Sequence, residues 1–146
     1  MTSTLYEQDY YLWLKKTASL LRDGRLSELD IANLLEEIED MGRSQKQAVK
    51  SNLRVVLWHL LKYKYQPSRQ SNSWRATIRE HRNRLDEDLV DSPSLKRYFT
   101  SVFAQCYQKA RALAADETGL PSETFPSESP FTPEETLNPD YLPESR

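Results

Sequence analysis

The sequence predicts an all-α domain, a four-helix-bundle-like core finished by a proline-rich C-terminal strap. No stretch shows sustained period-two alternation, and apolar residues over 1–118 recur every third or fourth position. Glycines and most prolines fall at the ends of these periodic runs. The chain has 146 residues, 38% hydrophobic and 29% charged, a common size for one domain. Leu, Ile, Val and Phe make up about 22% of it, just above the level at which disorder becomes the default. A net charge of −2 removes the self-repulsion that disorder usually needs, so a modest core is expected.

The first helix is expected over roughly 5–22, where Tyr6, Tyr10, Trp13, Leu14, Thr17, Leu20 and Leu21 share a face. Gly24 suits a left-handed stop, and Ser27 with Asp30 offers a capping box for the next helix. The pattern Ile31, Leu34, Leu35, Ile38, Met41 then continues in phase through Ala48, Val49, Leu53, Val56, Leu57, Leu60 and Leu61. One long helix over 28–64, with room for a bend at Gly42, follows from that unbroken phase; the alternative ends a helix at Gly42 and restarts it with Ser44 and Gln47 as a capping box, and Pro67 closes it either way. A third helix is expected at 74–90, capped by Ser71 or Ser73, with Trp74, Ile78, His81, Leu85 and Leu89 on its stripe. Ser92 and Pro93 restart a fourth, whose buried face holds Leu95, Tyr98, Phe99, Val102, Phe103, Cys106, Ala110, Leu113 and Ala114 up to Gly119.

Residues 1–118 therefore read as the helical bundle domain and 119–146 as a strap on the same domain. Six of the eight prolines lie in 121–146, yet Leu120, Phe125, Phe131, Leu137, Tyr141 and Leu142 recur as apolar anchors. Thr132-Pro133-Glu134-Glu135 has the form of a capped short helix.

Several function classes drop out on composition. No apolar run approaches the ~18 residues of a membrane span, and MTSTLYEQDYYLW lacks the basic-then-apolar order of a secretory signal. A cytoplasmic setting without membrane contact is expected. One cysteine, Cys106, excludes an internal disulfide and a cysteine-based zinc site, and three glycines leave no phosphate-cradling loop. No cofactor is indicated, and oligomeric state is not encoded in any recognisable pattern.

Charge is segregated. Residues 1–42 carry net −5, 43–111 net +10 and 112–146 net −7, and 43–84 hold 11 Lys or Arg against the single Glu80. Either acidic segments neutralise the basic one internally, or a basic face is left for a polyanion.

The segments LLEEIEDMGRSQKQAVKSNLRVVLWHLLKYKYQP (34–67), SWRATIREHRNRL (73–85), DSPSL (91–95) and ETGLPSETFP (117–126) resemble a bacterial family. It is catalogued as domain of unknown function twenty-nine. The resemblance implies a small, all-helical bacterial protein and carries no activity with it.

Two enzyme readings arise from the residues. Glu36, Glu39 and Asp40 share a helical face, as carboxylates that hold Mg²⁺ or Mn²⁺ do when a facing helix adds more. With Asp86, Glu87, Asp88 and Asp91 they look loosely like all-α nucleotide pyrophosphohydrolases, with an Asp standing where a Glu is expected. The competing reading, preferred here, pairs Glu36 and Asp40 with arginines of the third helix or leaves them in water. Arg75 followed six residues later by His81 is similar to the motif of helical ribonucleases of the HEPN superfamily, which implies phosphate binding and proton transfer. His81 also lies on the apolar stripe, where a hydrogen-bonded structural histidine is expected, and Arg75 or Arg79 suits a pair with the acidic second helix.

The binding reading rests on basic residues interleaved with aromatics: Arg54, His59, Lys62, Lys64, Trp74, Arg75, Arg79 and Arg82. Lysines lying over aromatic rings at a helix end account for part of the same pattern. Cys106, with no basic residue expected beside it, reads as core. The function expected is a non-enzymatic interaction module whose basic segment binds an acidic protein or nucleic acid. Phosphodiester or nucleotide cleavage, through Arg75 and His81 or through Glu36 and Asp40, is the alternative, and the residues leave enzyme status open.

Overall fold

The computed structural model describes residues 4–144, and the class is all-α as expected, with no strand among those residues. The described residues form six α-helices: α1 (Leu5–Gln8), α2 (Tyr10–Arg22), α3 (Ile31–Tyr65), α4 (Asn72–Asp91), α5 (Leu95–Thr118) and α6 (Pro133–Leu137). Short 3₁₀ turns lie at Leu26–Glu28, Pro67–Arg69 and Ser122–Thr124. No helix among the described residues is long and apolar enough to cross a membrane. By compactness the chain divides into two units, Met1–Ser44 and Gln45–Arg146, with residues of α3 in both.

The helix expected over 5–22 is two helices. Asp9 leaves the helical region (φ −151°, ψ 88°), and its carboxylate accepts the Leu12 N–H at 3.0 Å, capping α2. A short acidic side chain that can bond the backbone two or three residues ahead competes with helix continuation at its own position. The start of α3 also differs from the expected one. Leu26–Glu28 forms a 3₁₀ turn, and the cap is Asp30, which accepts from the Asn33 N–H at 3.3 Å and its side-chain amide at 2.7 Å. Gly24 does stop α2 as expected, at φ +70°. Arg25 N–H reaches Leu20 O at 2.9 Å and Gly24 N–H reaches Leu21 O at 3.2 Å, the paired bonds of a Schellman end.

α3 runs unbroken through Gly42 for 35 residues, as the continuous apolar phase predicts. α4 begins at Asn72 behind Ser71, whose hydroxyl accepts the Trp74 N–H at 3.2 Å. Ser92 and Pro93 form a turn before α5 rather than its first residues. α5 ends at Gly119, φ +73°, as expected.

The core of the second unit is built by α3 from Val49 onward, by Ile78, Leu85 and Leu89 of α4, and by the Phe99–Ala114 face of α5. Phe125 and Phe131 of the C-terminal segment are buried in the same cluster. Leu113 and Leu142, expected as buried, are 38% and 37% exposed. The C-terminal segment has little regular structure, so its carbonyls need side-chain donors. α5 supplies them: Tyr107 donates to Pro126 O at 2.5 Å, Gln108 to Ser127 O at 2.6 Å and Arg111 to Phe125 O and Ser122 O. Burial pushes the Tyr107 phenol up to about 12, so it stays a donor at neutral pH. α6 carries the expected capping box between Thr132 and Glu135.

Candidate anion-binding site

Arg75, Arg79 and Arg82 fall at i, i+4 and i+7 on α4, a spacing that stacks three cations on one stripe. They line a pocket of about 370 Å³ together with Asn72, Ile78, Pro139 and Leu142, so cationic and apolar side chains share its wall. Arg75 is held by a hydrogen bond to the Asn72 side-chain oxygen one turn earlier. Arg79 is exposed and has no ion-pair partner among the described residues.

Arg82 is the unusual member. Only 3% of it is exposed, and it faces no carboxylate among the described residues. Its guanidinium instead donates to Thr136 O at 2.9 Å and Glu135 O at 3.1 Å, carbonyls of the last turn of α6, where Glu135 O also accepts the Asn138 N–H at 3.2 Å. Desolvation lowers its pKa to about 10, so it remains charged at neutral pH. A buried cation answered only by neutral oxygens is an electrostatic deficit that an anion in the pocket would relieve.

Residues 5–142 match the family model described as domain of unknown function DUF29. The chain belongs to the DUF29 family. Neither the curated proteins nor the solved structures compared with it give a match.

Other residues of this DUF29 chain with candidate roles are distributed away from that pocket. His81 is half-buried, and its Nδ1 lies 2.7 Å from Asn52 Oδ1. The Asn52 amide donates to Ala48 O, so its oxygen accepts from His81 and the ring carries its proton on Nδ1. His59 donates from Nδ1 to Val55 O at 2.9 Å. Burial lowers the pKa of both histidines, and both are neutral near pH 7. His81 is not among the residues that line the arginine pocket, so Arg75 and His81 do not share one site.

Lys62, expected as a binding cation, is committed internally. Its side chain is 6% exposed, its ammonium pairs with Glu117, and it lies 4.5 Å from the Trp74 ring centre and 5.5 Å from that of Trp58. Trp74 is thereby covered by a lysine of the same unit. Trp58 Nε1 is buried without a hydrogen-bond partner among the described residues. Lys64 donates to Glu144 O at 3.2 Å.

Arg54 belongs to a second basic pocket of about 240 Å³ with Lys50, Lys109, Gln47, Gln105 and Cys106. This corrects the expectation that no base lies near Cys106. Burial still pushes the thiol upward, outweighing the opposite effect of Arg54, Lys50 and Lys109. Lys50 and Lys109 were missed as site residues. The signal for Lys50 was present in Lys46, Lys50 and Arg54 at successive four-residue steps, whereas Lys109 joins only through packing of α5.

The acidic residues do not gather as a metal site requires, and no group of three metal-ligating side chains occurs among the described residues. Asp40 pairs with Arg43, which also lies 3.6 Å from Glu36. These are pairs along the residues' own helix, not with arginines of α4. Glu37 accepts from the Tyr6 and Tyr10 hydroxyls, which pushes the Tyr6 phenol up to about 12. Glu39 joins neither arrangement. Arg75 and Arg79, expected to reach the acidic helix, point instead into the α4 pocket.

Proposed function

We propose that this DUF29 chain is a cytoplasmic, non-enzymatic interaction module that binds nucleic acid through phosphates seated against Arg75, Arg79 and Arg82. The observation that carries the reading is Arg82, a buried charge with no carboxylate against it among the described residues, lining one pocket with the exposed Arg75 and Arg79. Planar guanidinium groups match phosphate oxygens two at a time. The apolar side chains of Pro139 and Leu142 give a base or sugar a surface beside the phosphate. The Lys50, Arg54 and Lys109 pocket on the same unit adds a second cluster of cations, which favours a polyanion over a single small anion. A proton-transfer role is not supported, since His81 is held by Asn52 and does not line the pocket.

Fluorescence anisotropy with single- and double-stranded RNA and DNA oligonucleotides tests the reading. Three phosphate contacts on a single strand, one for each of Arg75, Arg79 and Arg82, give a salt slope of about −2.1, hence roughly a twentyfold loss of affinity between 50 and 200 mM salt. Arg79→Ala should reduce that slope by about 0.7 without unfolding the chain. No binding to any of the four probes at 50 mM salt overturns the proposal. Binding only to a polyglutamate peptide overturns it in favour of an acidic protein.

A further inference from the structure

The unit Met1–Ser44 leaves an apolar face uncovered. Of its described residues only Trp13 and Thr17 are buried, whereas ten of the thirteen large exposed hydrophobic residues described in the chain lie between Tyr10 and Met41. Tyr10, Leu14 and Leu21 form a stripe along α2 that is about half exposed. Ile31, Leu35 and Ile38 form another on the first turns of α3, at 61%, 54% and 54%. Tyr10 of α2 and Tyr6 of α1 both donate to Glu37 of α3, and the short connection through Gly24 and the 3₁₀ turn at Leu26–Glu28 returns the chain, so α2 and the start of α3 form an antiparallel hairpin.

The geometry of that hairpin joins the two stripes. On α2 the inward face is Trp13, Thr17 and Leu20, and on α3 it is Leu34 and Glu37. Each exposed stripe is rotated from its inward face in the same sense. Because the two helices run in opposite directions, equal senses of rotation place both stripes on one side of the hairpin. Two half-exposed apolar stripes on one side of a hairpin make a contiguous apolar face, and large exposed apolar patches mark interaction sites. A helical layer with one apolar face calls for a second layer.

Charge at the rim selects the occupant. Lys15 and Arg22 stand at the outer edge of α2 and Glu36 at the outer edge of α3, all exposed. A twofold axis parallel to the helices lays α2 of one copy over α3 of another. Side chains lean toward the N-terminus of their own helix, so Lys15 of each copy and Glu36 of the other lean toward one another. The contact occurs twice by symmetry, and every helix then has antiparallel neighbours, as in an up-and-down four-helix bundle. The competing Arg43 contact with Glu36 is long and exposed and contributes little.

We propose that this face is a homodimer interface in which the α2–α3 hairpins of two copies form a four-helix bundle. Sedimentation velocity on the full chain at 1–100 µM should show a species of twice the 17.1 kDa chain mass. Leu35→Glu should give monomers with unchanged helical circular dichroism. Lys15→Glu and Glu36→Lys should each weaken self-association about five- to twentyfold, since each reverses two symmetric contacts. Mixing those two variants should restore a dimer, because the mixed pair has opposite charges at both contacts. This arm decides the matter even where Leu35→Glu unfolds. A wild-type chain that stays monomeric at 100 µM, or a dimer indifferent to both charge reversals and to mixing, overturns the proposal.

Discussion

Lys62 offers the sharpest test of how the second unit is held together, because it ties three helices with one side chain. Its stem is buried, its ammonium faces Trp58 and Trp74, and Glu117 of α5 supplies the counter-charge. Lys62→Ala removes three buried methylenes at about 0.8 kcal/mol each and two cation–π contacts, and leaves a cavity. The expected loss is about 3–4 kcal/mol, or roughly 6–16 °C in Tm for a chain of this size. Lys62→Met keeps the volume and removes the cost of desolvating an ion, so it should lie within about 1 kcal/mol of wild type. Glu117→Gln strands a buried ammonium, but Glu117 is itself 43% exposed, and solvent screening limits the loss to about 1–2 kcal/mol. Urea unfolding followed by tryptophan fluorescence measures all three as shifts in midpoint at constant slope. The order Ala, then Gln at 117, then Met is the prediction. A Met variant as damaged as the Ala variant would refute the reasoning, because it would make the charge itself, not the packed stem, the source of stability.

Two further predictions concern the backbone and pH. Gly119→Ala should cost about 1 kcal/mol, since the position needs φ +73° although no atom stands within 4 Å of an added Cβ. A thermal midpoint equal to wild type would show that α5 does not depend on that left-handed end. His59 is kept neutral by burial, so its folded pKa lies below its unfolded value near 6.5. The unfolded chain therefore binds more protons between the two values. Stability from His59 is complete above about pH 6.5 and is lost as pH falls from there through the depressed folded value. His59→Gln should flatten the decline of Tm between pH 7.5 and 5, and an unchanged decline would count against a buried neutral ring.

Helix existence was legible in residue order because it depends on local periodicity, as the unbroken phase through Gly42 and the left-handed ends at Gly24 and Gly119 show. Helix starts were less legible. Asp9 and Asp30 act as caps where Tyr6–Leu21 and Ser27 suggested otherwise, because several polar residues in each stretch can bond the same free N–H groups and packing chooses among them. Exposure was illegible for a different reason. Ile31, Leu35 and Ile38 have the same period as Leu53, Leu57 and Leu60, yet only the second set is buried. Periodicity gives a face and not its cover.

The basic stretch divided in the same way. Arg75, Arg79 and Arg82 share a stripe that spacing alone defines. That Arg82 would lie buried against the Thr136 carbonyl, and Lys62 against Glu117, depends on contacts more than fifty residues apart. Lys109 reached the second pocket by the same kind of contact.

The most direct measurement on the anion site is NMR of the arginine Nε–H groups during titration with a short oligonucleotide. Phosphate seated in the α4 pocket predicts that Arg75, Arg79 and Arg82 shift together and saturate with one affinity, with Arg82 moving although it is buried. Shifts confined to other arginines, or Arg75 and Arg79 shifting while Arg82 stays still, would contradict a phosphate held against all three in that pocket.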